Sequence, residues 1–178
     1  IYRIRESLGG ETPSRNDQTV DALYVDVSSE INHVHAESPF DDFVKQPLLP
    51  NRFSQLGPGV AWYDVDRDGR EDLLIGSGRG GNISTYRNLG DGKFEPSNWL
   101  GGMSALGLDS QGLVAFSDST GATMLGVGIS CFENPSLESN AAEFLRFNEA
   151  FEYVGGLKGW GSATGPVSVA DVDNDGDL

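Results

Sequence analysis

The chain repeats the phrase Gly59-Val-Ala-Trp-Tyr-Asp64 as Gly112-Leu-Val-Ala-Phe-Ser-Asp118 and again as Gly165-Pro-Val-Ser-Val-Ala-Asp171. The closing aspartates of these phrases are 54 and 53 residues apart. A second landmark, Trp99-Leu-Gly-Gly102, returns as Tyr153-Val-Gly-Gly156 at a spacing of 54 residues. Two landmarks that share one period indicate that the chain is built from an internal structural repeat.

Each period reads as a small antiparallel sheet. Apolar runs at 60–63, 73–75 and 83–86 are separated by clusters of Gly, Asp and Asn, which is typical of short strands joined by tight turns. The dipeptide Asp91-Gly92 favours the positive φ angles of a hairpin turn. Residues 141–151 could form a helical turn or an outer strand, and a strand with a loop is favoured.

A sheet of about four strands cannot bury both of its faces alone, but radial repetition of such sheets buries them against each other. The sequence therefore predicts an all-β fold, a β-propeller fragment of about two to three antiparallel four-stranded blades. We expect blades at 57–110 and 111–164 and a third, truncated blade at 165–178. Residues 1–56, with a predicted strand at 22–27, are either the tail of a preceding blade or a non-repeat extension. We expect the chain to be part of a longer protein.

Composition limits the possible partners. The 178 residues include 24 glycines, 38% hydrophobic and 22% charged residues, which is typical of a globular chain rather than a disordered one. The net charge of −15 would repel a phosphate backbone, so nucleic acid is excluded as a partner. No apolar run approaches the ~20 residues of a membrane-spanning helix, so no membrane span is expected. The single cysteine, Cys131, cannot form an internal disulfide.

The first phrase leads into an acidic loop, Asp64-Val-Asp-Arg-Asp-Gly-Arg-Glu-Asp72. Calcium binds six to eight oxygen atoms, and loops of this spacing turn alternate carboxylates inward and add a backbone carbonyl. Two carboxylates ~4 Å apart repel by roughly 4 kcal/mol at an effective dielectric constant near 20, so the crowded acids indicate a counter-cation. The predicted calcium ligands are the carboxylates of Asp64, Asp66, Asp68 and Asp72 and the backbone carbonyl of Arg70.

An EF-hand is a poor alternative for this loop. It requires Glu at position 12, where this chain has Ile75, and helices where this chain has predicted strands. The acids could instead decorate a solvated turn, because Asp and Gly are ordinary turn residues. The same acidic phrase begins again at the third repeat, and its predicted metal-site residues are Asp171, Asp173, Asp175 and Asp177.

The residues 55–76 followed by Tyr86-Arg-Asn-Leu-Gly-Asp-Gly-Lys-Phe94 resemble the FG-GAP/VCBS repeat of integrin α-subunit-like propellers. The upstream stretch Asp42-Phe-Val-Lys-Gln-Pro-Leu-Leu-Pro50 is similar to that of large proteins that carry ASPIC/UnbV modules, related to cartilage acidic protein. The resemblance implies a seven-bladed, calcium-stabilised extracellular propeller used for adhesion or recognition. It also implies that the loop after Asp118, which has no further carboxylates, is a doubtful metal site.

We therefore expect a non-enzymatic, calcium-binding segment of a secreted or cell-surface protein, with a protein or glycan ligand and the other blades of its propeller as partners. Extracellular calcium modules often bind at ~10⁻⁴–10⁻³ M, which suits calcium-rich surroundings. The alternative is a fragment of a calcium-dependent propeller enzyme, a lyase or hydrolase acting on polysaccharide. Such an enzyme would need a carboxylate pair or a base that faces a cleft.

Three weaker patterns carry less weight. The run Gly76-Ser-Gly-Arg-Gly-Gly81 matches G-x-G-x-x-G, but a dinucleotide site needs a following helix and a strand is predicted there. His33 and His35 could bind a transition metal, but a third ligand is missing nearby. The tryptophans are expected to pack between blades; they are Trp62, Trp99 and Trp160.

Overall fold

The computed structural model describes residues 24, 26–100, 109–130, 132–133, 142–148, 150, 152–158 and 165–173. The helices and strands in this part are, in chain order, α1 (Ser28–Ile31), α2 (Asp42–Lys45), β1 (Val60–Tyr63), β2 (Asp72–Ile75), β3 (Ser84–Gly90), β4 (Lys93–Ser97), β5 (Asp109–Ser117), β6 (Thr123–Ser130), β7 (Ala142–Phe147) and β8 (Tyr153–Lys158). The prediction of an all-β chain with antiparallel sheets is confirmed.

The strands form two four-stranded antiparallel sheets, each with its strands in chain order. The strands β1 to β4 form the first sheet and β5 to β8 the second, and in the described part of the chain the two do not close into a ring. The β3–β4 turn has the predicted geometry, because Asp91 and Gly92 both have left-handed φ angles, 53° and 73°. The stretch 141–151, for which the sequence favours a strand, contains β7, but β7 lies between β6 and β8 rather than at the outer edge of the sheet.

The strand β2 is buried on both faces of the first sheet, which explains its continuous apolar run, Leu73-Leu-Ile75. Leu74 packs into a cluster with Leu125 and Val127 of the second sheet. Leu73 and Ile75 pack on the opposite face, where Ile31 of α1 covers them. Because successive side chains of a strand point to opposite faces, an unbroken apolar run is expected where both faces meet other elements.

The glycines that open the repeated phrase stack on one another. A Cβ atom built on Gly59 would lie 2.8 Å from the backbone of Gly112, and one built on Gly112 would lie 2.8 Å from the carbonyl oxygen of Gly165. The amide of Gly59 also donates to the carbonyl oxygen of Ser110 across the same joint, at 2.8 Å. Only a residue without a side chain lets two backbones approach this closely, so the glycines set the distance between repeats.

Side chains one repeat apart also meet. The hydroxyl of Tyr63, at the end of β1, lies 2.6 Å from Oγ of Ser117, at the end of β5 and 54 residues further along the chain. The guanidinium group of Arg67 donates to the carbonyl oxygen of Gly121, again 54 residues further along. Equivalent positions of the two repeats are therefore neighbours in space.

In its described part, the N-terminal segment contains two short helices, and the first of them, α1, packs on the first sheet. The predicted strand at 22–27 is wrong for Tyr24, Asp26 and Val27, which belong to no strand, and its other three residues lie outside the described residues. Both helices have four residues, and no helix in the described part of the chain is long and apolar enough to cross a membrane. The carboxylate of Asp26 accepts hydrogen bonds from the amide of Ser28, at 2.9 Å, and from its hydroxyl, at 2.6 Å, so the chain turns here instead of extending.

One buried carboxylate holds the second half of this segment together. Asp42 is fully buried and accepts hydrogen bonds from the amides of Phe53, at 2.7 Å, and Ser54, at 3.0 Å, and from the Ser54 hydroxyl. Burial opposes ionisation of Asp42, but these hydrogen bonds outweigh it and hold the pKa of the carboxyl below its ordinary value. The neighbouring Asp41 caps α2 by accepting from the amide of Phe43 at 3.0 Å.

The tryptophans behave differently from one another. Trp99 packs against the cluster between the two sheets, as predicted. Trp62 is 50% exposed and its ring lies 5.8 Å from that of Phe94 in the same sheet, so the prediction is wrong for Trp62. Trp160 lies outside the described residues.

Candidate metal centre

The acidic loop lies between β1 and β2 and is closed by its own first residue. The two carboxylate oxygens of Asp64 accept hydrogen bonds from the amides of Asp68, at 3.0 Å, and Gly69, at 2.8 Å. Gly69 has a left-handed φ of 88°, which allows the sharp bend that returns the chain to Asp64. The loop backbone is therefore arranged around the Asp64 carboxylate.

Three of the four predicted carboxylates converge. Oxygen atoms of Asp64, Asp66 and Asp72 lie within 4.8 Å of one another and could hold a metal ion. Asp72 is fully buried, and its two oxygens accept from the amides of Val65, at 3.0 Å, and Asn88, at 2.9 Å. Burial raises the pKa of Asp72, the two hydrogen bonds partly oppose it, and the charges of nearby acids raise it further.

The fourth predicted ligand, Asp68, lies outside this convergent group. One of its oxygens accepts from the Arg70 amide at 3.0 Å, and the other lies 2.9 Å from Nη2 of the same arginine. Burial opposes ionisation, but the hydrogen bonds and charge of Arg70, followed by the charge of Arg87, hold the pKa of Asp68 below its ordinary value. Asp68 would have to turn away from Arg70 to bind the same ion as its neighbours. The role of the Arg70 backbone carbonyl stays a prediction.

Sequence reasoning missed Arg87, a cation that another strand brings to the loop. Its Nε lies 2.7 Å from Oδ2 of Asp66, and its Nη2 lies 3.5 Å from Oδ2 of Asp68. Arg87 stands on β3, which reaches the loop only because β3 pairs with β2. The available signal was its place directly after the predicted strand 83–86, which follows the acidic loop, but spacing alone does not show what that strand faces.

The corresponding loop of the second sheet closes without further carboxylates. Asp118 accepts from the amide and hydroxyl of Thr120 and from the amide of Ala122, and Arg146 lies 3.3 Å from its other oxygen. These hydrogen bonds, led by the one from the Thr120 hydroxyl, lower the pKa of Asp118. A single ionised carboxylate with this set of partners needs no metal ion.

The third predicted loop is described only in part. Asp171 is half-buried and Asp173 is exposed, whereas Asp175 and Asp177 lie outside the described residues. The metal site predicted from these four aspartates therefore stays a prediction.

The two histidines have protein partners rather than each other. Nδ1 of His33 lies 2.8 Å from the hydroxyl of Tyr86, and Nε2 of His35 lies 3.5 Å from Oε2 of Glu37. Burial, and then the charge of His35, lower the pKa of His33. Their ring centroids are 6.5 Å apart and tilted. Whether these histidines bind a transition metal stays a prediction.

The glycine-rich run has a packing role. It is followed by the strand β3 and by no helix, as predicted. A Cβ atom on Gly78 would collide with the carboxylate of Glu37, and one on Gly81 would come within 2.7 Å of Ala36. These glycines make room for the N-terminal segment against the first sheet.

A second acidic group was also missed by sequence reasoning. Oxygen atoms of Glu37, Asp109 and Glu133 lie within 4.8 Å of one another. The pKa values of Asp109 and Glu133 are raised, first by burial and then by the other carboxylates of the group. The three residues are separated by 72 and 24 positions and belong to no recurring motif, so nothing local in the sequence identifies them.

Comparisons of the chain with family models, with curated proteins and with solved structures find no match. The resemblance to FG-GAP/VCBS repeats therefore depends on the residues 55–76 and 86–94 of the chain itself.

Proposed function

We propose that the chain is a calcium-binding segment of an extracellular β-propeller of the FG-GAP/VCBS type, with a structural and recognition role and no enzymatic activity. One observation carries this proposal: the buried carboxylate of Asp72 has oxygens of Asp64 and Asp66 within 4.8 Å of it, in a loop of the predicted calcium-binding spacing. Buried acids are normally accompanied by a compensating cation.

The chemistry of the donors supports calcium. The convergent atoms are all carboxylate oxygens, which hard cations prefer. Sites for softer transition metals usually include nitrogen or sulfur ligands as well. Four carboxylates and two guanidinium groups meet at the loop, so with all six groups ionised two negative charges are in excess. The carboxylates are those of Asp64, Asp66, Asp68 and Asp72, and the guanidinium groups are those of Arg70 and Arg87. One divalent ion would neutralise this excess.

The contacts between repeats support the propeller. The four-stranded sheets follow each other in chain order, and equivalent residues such as Gly59 and Gly112 or Tyr63 and Ser117 are neighbours. Repeating units that meet through equivalent positions are related by nearly the same rotation at each step, which is how radial repetition builds a ring. The remaining blades of the ring would lie elsewhere in the parent protein.

In this function the ion would bind through Asp64, Asp66 and Asp72 and supply positive charge at the point where β1 ends and β2 begins. Residues of the chain hold the loop in shape. Asp72 accepts hydrogen bonds from the amides of Val65 and Asn88, and Gly69 provides the bend. The rigid loop would then stabilise the edge of the blade at which a protein or glycan ligand is recognised. Millimolar extracellular calcium suits sites of this ligand class, so we assign the protein to the cell surface or the secreted fraction.

Thermal unfolding with calcium and with EDTA tests the proposal. Calcium at about ten times its dissociation constant stabilises a folded protein by about 1.4 kcal/mol, which raises the midpoint by about 3–6 °C for a chain of this size. Asp66→Asn removes a ligand and should lose this part of the calcium response. Asp118→Asn, at the equivalent loop of the second sheet, is the matched control and should keep it. Equal calcium responses of the two variants would refute the calcium site.

The enzymatic alternative is less well supported. Beyond the acidic loop, the carboxylates that cluster in the described part of the chain include Asp109 and Glu133, which are only 5% and 3% exposed. A polysaccharide cannot reach groups buried to this extent, whereas a lyase or hydrolase needs its carboxylates at a cleft. Shortening of a polysaccharide incubated with the chain would support the alternative.

A further inference from the structure

The second acidic group joins three separate parts of the molecule. Glu37 lies between α1 and α2, Asp109 is the first residue of β5, and Glu133 follows β6. Backbone hydrogen bonds hold these parts together, from the Gly78 amide to the Ala36 carbonyl at 3.0 Å and from the Ser110 amide to the Ser77 carbonyl at 2.8 Å. The carboxylates are thus brought together by backbone pairing and in spite of their mutual repulsion.

Two of these carboxylates are deeply buried and poorly compensated by the residues that the structure describes. Asp109 is 5% exposed and Glu133 is 3% exposed. Within the described part of the chain, none of their four oxygens has a partner that meets the geometry of a hydrogen bond. The backbone amides of Arg79 and Gln55 favour ionisation of Asp109 and Glu133, respectively, but burial and the neighbouring acids outweigh them and leave both pKa values raised.

The remaining contact is an ion pair, in which Nε of Arg79 lies 3.2 Å from Oε2 of Glu133. Buried carboxylates without well-formed hydrogen bonds are rare in folded proteins. They indicate that a cation accompanies them in solution, because a buried charge is costly unless it is paired.

The charges of the three carboxylates and of their neighbours indicate the valence of this cation. Among the described residues, three carboxylates face one guanidinium group, that of Arg79, and His35 lies 3.5 Å from the outer carboxylate, Glu37. With the imidazole neutral, the group has two negative charges in excess. One divalent cation would balance them, whereas a single monovalent ion would not.

The donor atoms indicate the kind of cation. Carboxylate oxygens are the ligands of hard ions, and calcium accepts irregular geometries that magnesium does not. Two oxygens that are 4.8 Å apart can both reach one calcium ion, because calcium–oxygen distances are about 2.3–2.6 Å. The side chain of Glu37 is 20% exposed, which leaves a path for the ion and for water ligands.

We propose that Glu37, Asp109 and Glu133 form a second calcium-type binding site, separate from the acidic loop, in which a divalent cation fastens the N-terminal segment to the joint between the two sheets. The site depends on none of the loop carboxylates, so it can exist whether or not the proposed function is correct.

Counting bound calcium tests this site directly. The full chain and its variants are equilibrated with calcium alone at neutral pH, and the bound ion is measured by equilibrium dialysis. Asp109→Asn should bind about one calcium ion fewer per chain than the unaltered protein. Glu95→Gln, which removes an exposed acid from β4, is the matched control and should bind the same number as the unaltered protein. Asp66→Asn combined with Asp109→Asn should lose both contributions independently.

A second variant moves a ligand without removing any charge. Gly78 does not have a left-handed φ, so alanine suits its backbone, and the new Cβ would displace the flexible end of Glu37. Gly78→Ala should therefore weaken calcium binding at this site by about tenfold or more and leave the melting temperature in EDTA almost unchanged. A simple effect of net charge would leave the affinity of this variant unaltered.

Two results would overturn the proposal. One is an unchanged calcium count in Asp109→Asn. The other is a gain in melting temperature of Asp109→Asn that is the same in calcium and in EDTA, because it would mean that the removed charge had repelled its neighbours without binding an ion. The proposal instead requires this variant to be less stable than the unaltered protein in calcium and no less stable in EDTA.

Discussion

Replacing Gly112 by alanine tests the contact between successive repeats. Gly112 lies in β5 opposite Gly128 of β6, and its φ is not left-handed, so alanine can adopt its backbone conformation. The added Cβ would lie 2.8 Å from the carbonyl oxygen of Gly165, 2.9 Å from the amide nitrogen of Val167 and 3.0 Å from Cα of Pro166. These are backbone atoms, which cannot rotate away as a side chain does, so the start of the third repeat would have to move.

The size of the effect follows from two opposing contributions. Inserting a methyl group into a packed contact destabilises a protein by about 1–3 kcal/mol. Alanine also restricts the unfolded chain, which stabilises by about 0.4–1 kcal/mol at a position where it fits. Because the contact with Gly165 is closer than real Cβ contacts, the first contribution exceeds the second. We expect Gly112→Ala to lower the free energy of unfolding by about 1–2 kcal/mol.

Urea unfolding followed by circular dichroism measures this change. Gly59→Ala serves as the matched variant one repeat earlier, since its Cβ would lie 2.8 Å from the backbone of Gly112 and should have a similar effect. An unchanged slope with urea concentration would show that only stability has changed. If Gly112→Ala instead stabilised the protein, residues 165–167 would not contact Gly112, and the stacking of repeats would be disproved.

Two further predictions concern the core and the N-terminal segment. Leu125→Ala should lower the free energy of unfolding by about 2–5 kcal/mol in urea, because Leu125 is 1% exposed in the cluster between the sheets; a change no larger than that of a surface substitution would contradict this packing. Asp42 has a lowered pKa in the folded state, so its contribution is present above its unfolded pKa and is lost as the pH falls through the folded value. Asp42→Asn should therefore melt at a lower temperature than the unaltered protein at neutral pH and lose less stability on acidification below about pH 4. Thermal melts across this pH range test this, and a constant difference in melting temperature between the two proteins would contradict the reasoning.

The strands and turns of the first repeat were predictable because they depend on residues close in sequence. The runs that form β1, β2 and β3 were recognised from apolar patterning, and the Asp91-Gly92 turn from the tolerance of those residues for positive φ. The strand predicted at 22–27 failed where it is described, because Asp26 holds the backbone at Ser28 in a local turn that apolar patterning does not indicate.

The arrangement of the acidic loop was predictable only in part. Its spacing correctly indicated that Asp64, Asp66 and Asp72 come together, since alternate loop residues share a side. The spacing could not show that Asp68 turns to Arg70, nor that Arg87 of β3 reaches Asp66. Which carboxylate faces inward depends on cations that another strand brings to the loop.

The amino-acid sequence by itself determined the period of the repeat, the all-β class and the acidic loop, because each of these is encoded by neighbours within a few residues or by recurrence along the chain. Only the tertiary structure decided that Gly59, Gly112 and Gly165 stack and that Glu37, Asp109 and Glu133 converge. Both arrangements join residues that are far apart in the chain, and their separation in space is set by how the sheets and the N-terminal segment pack, a property that no local pattern contains.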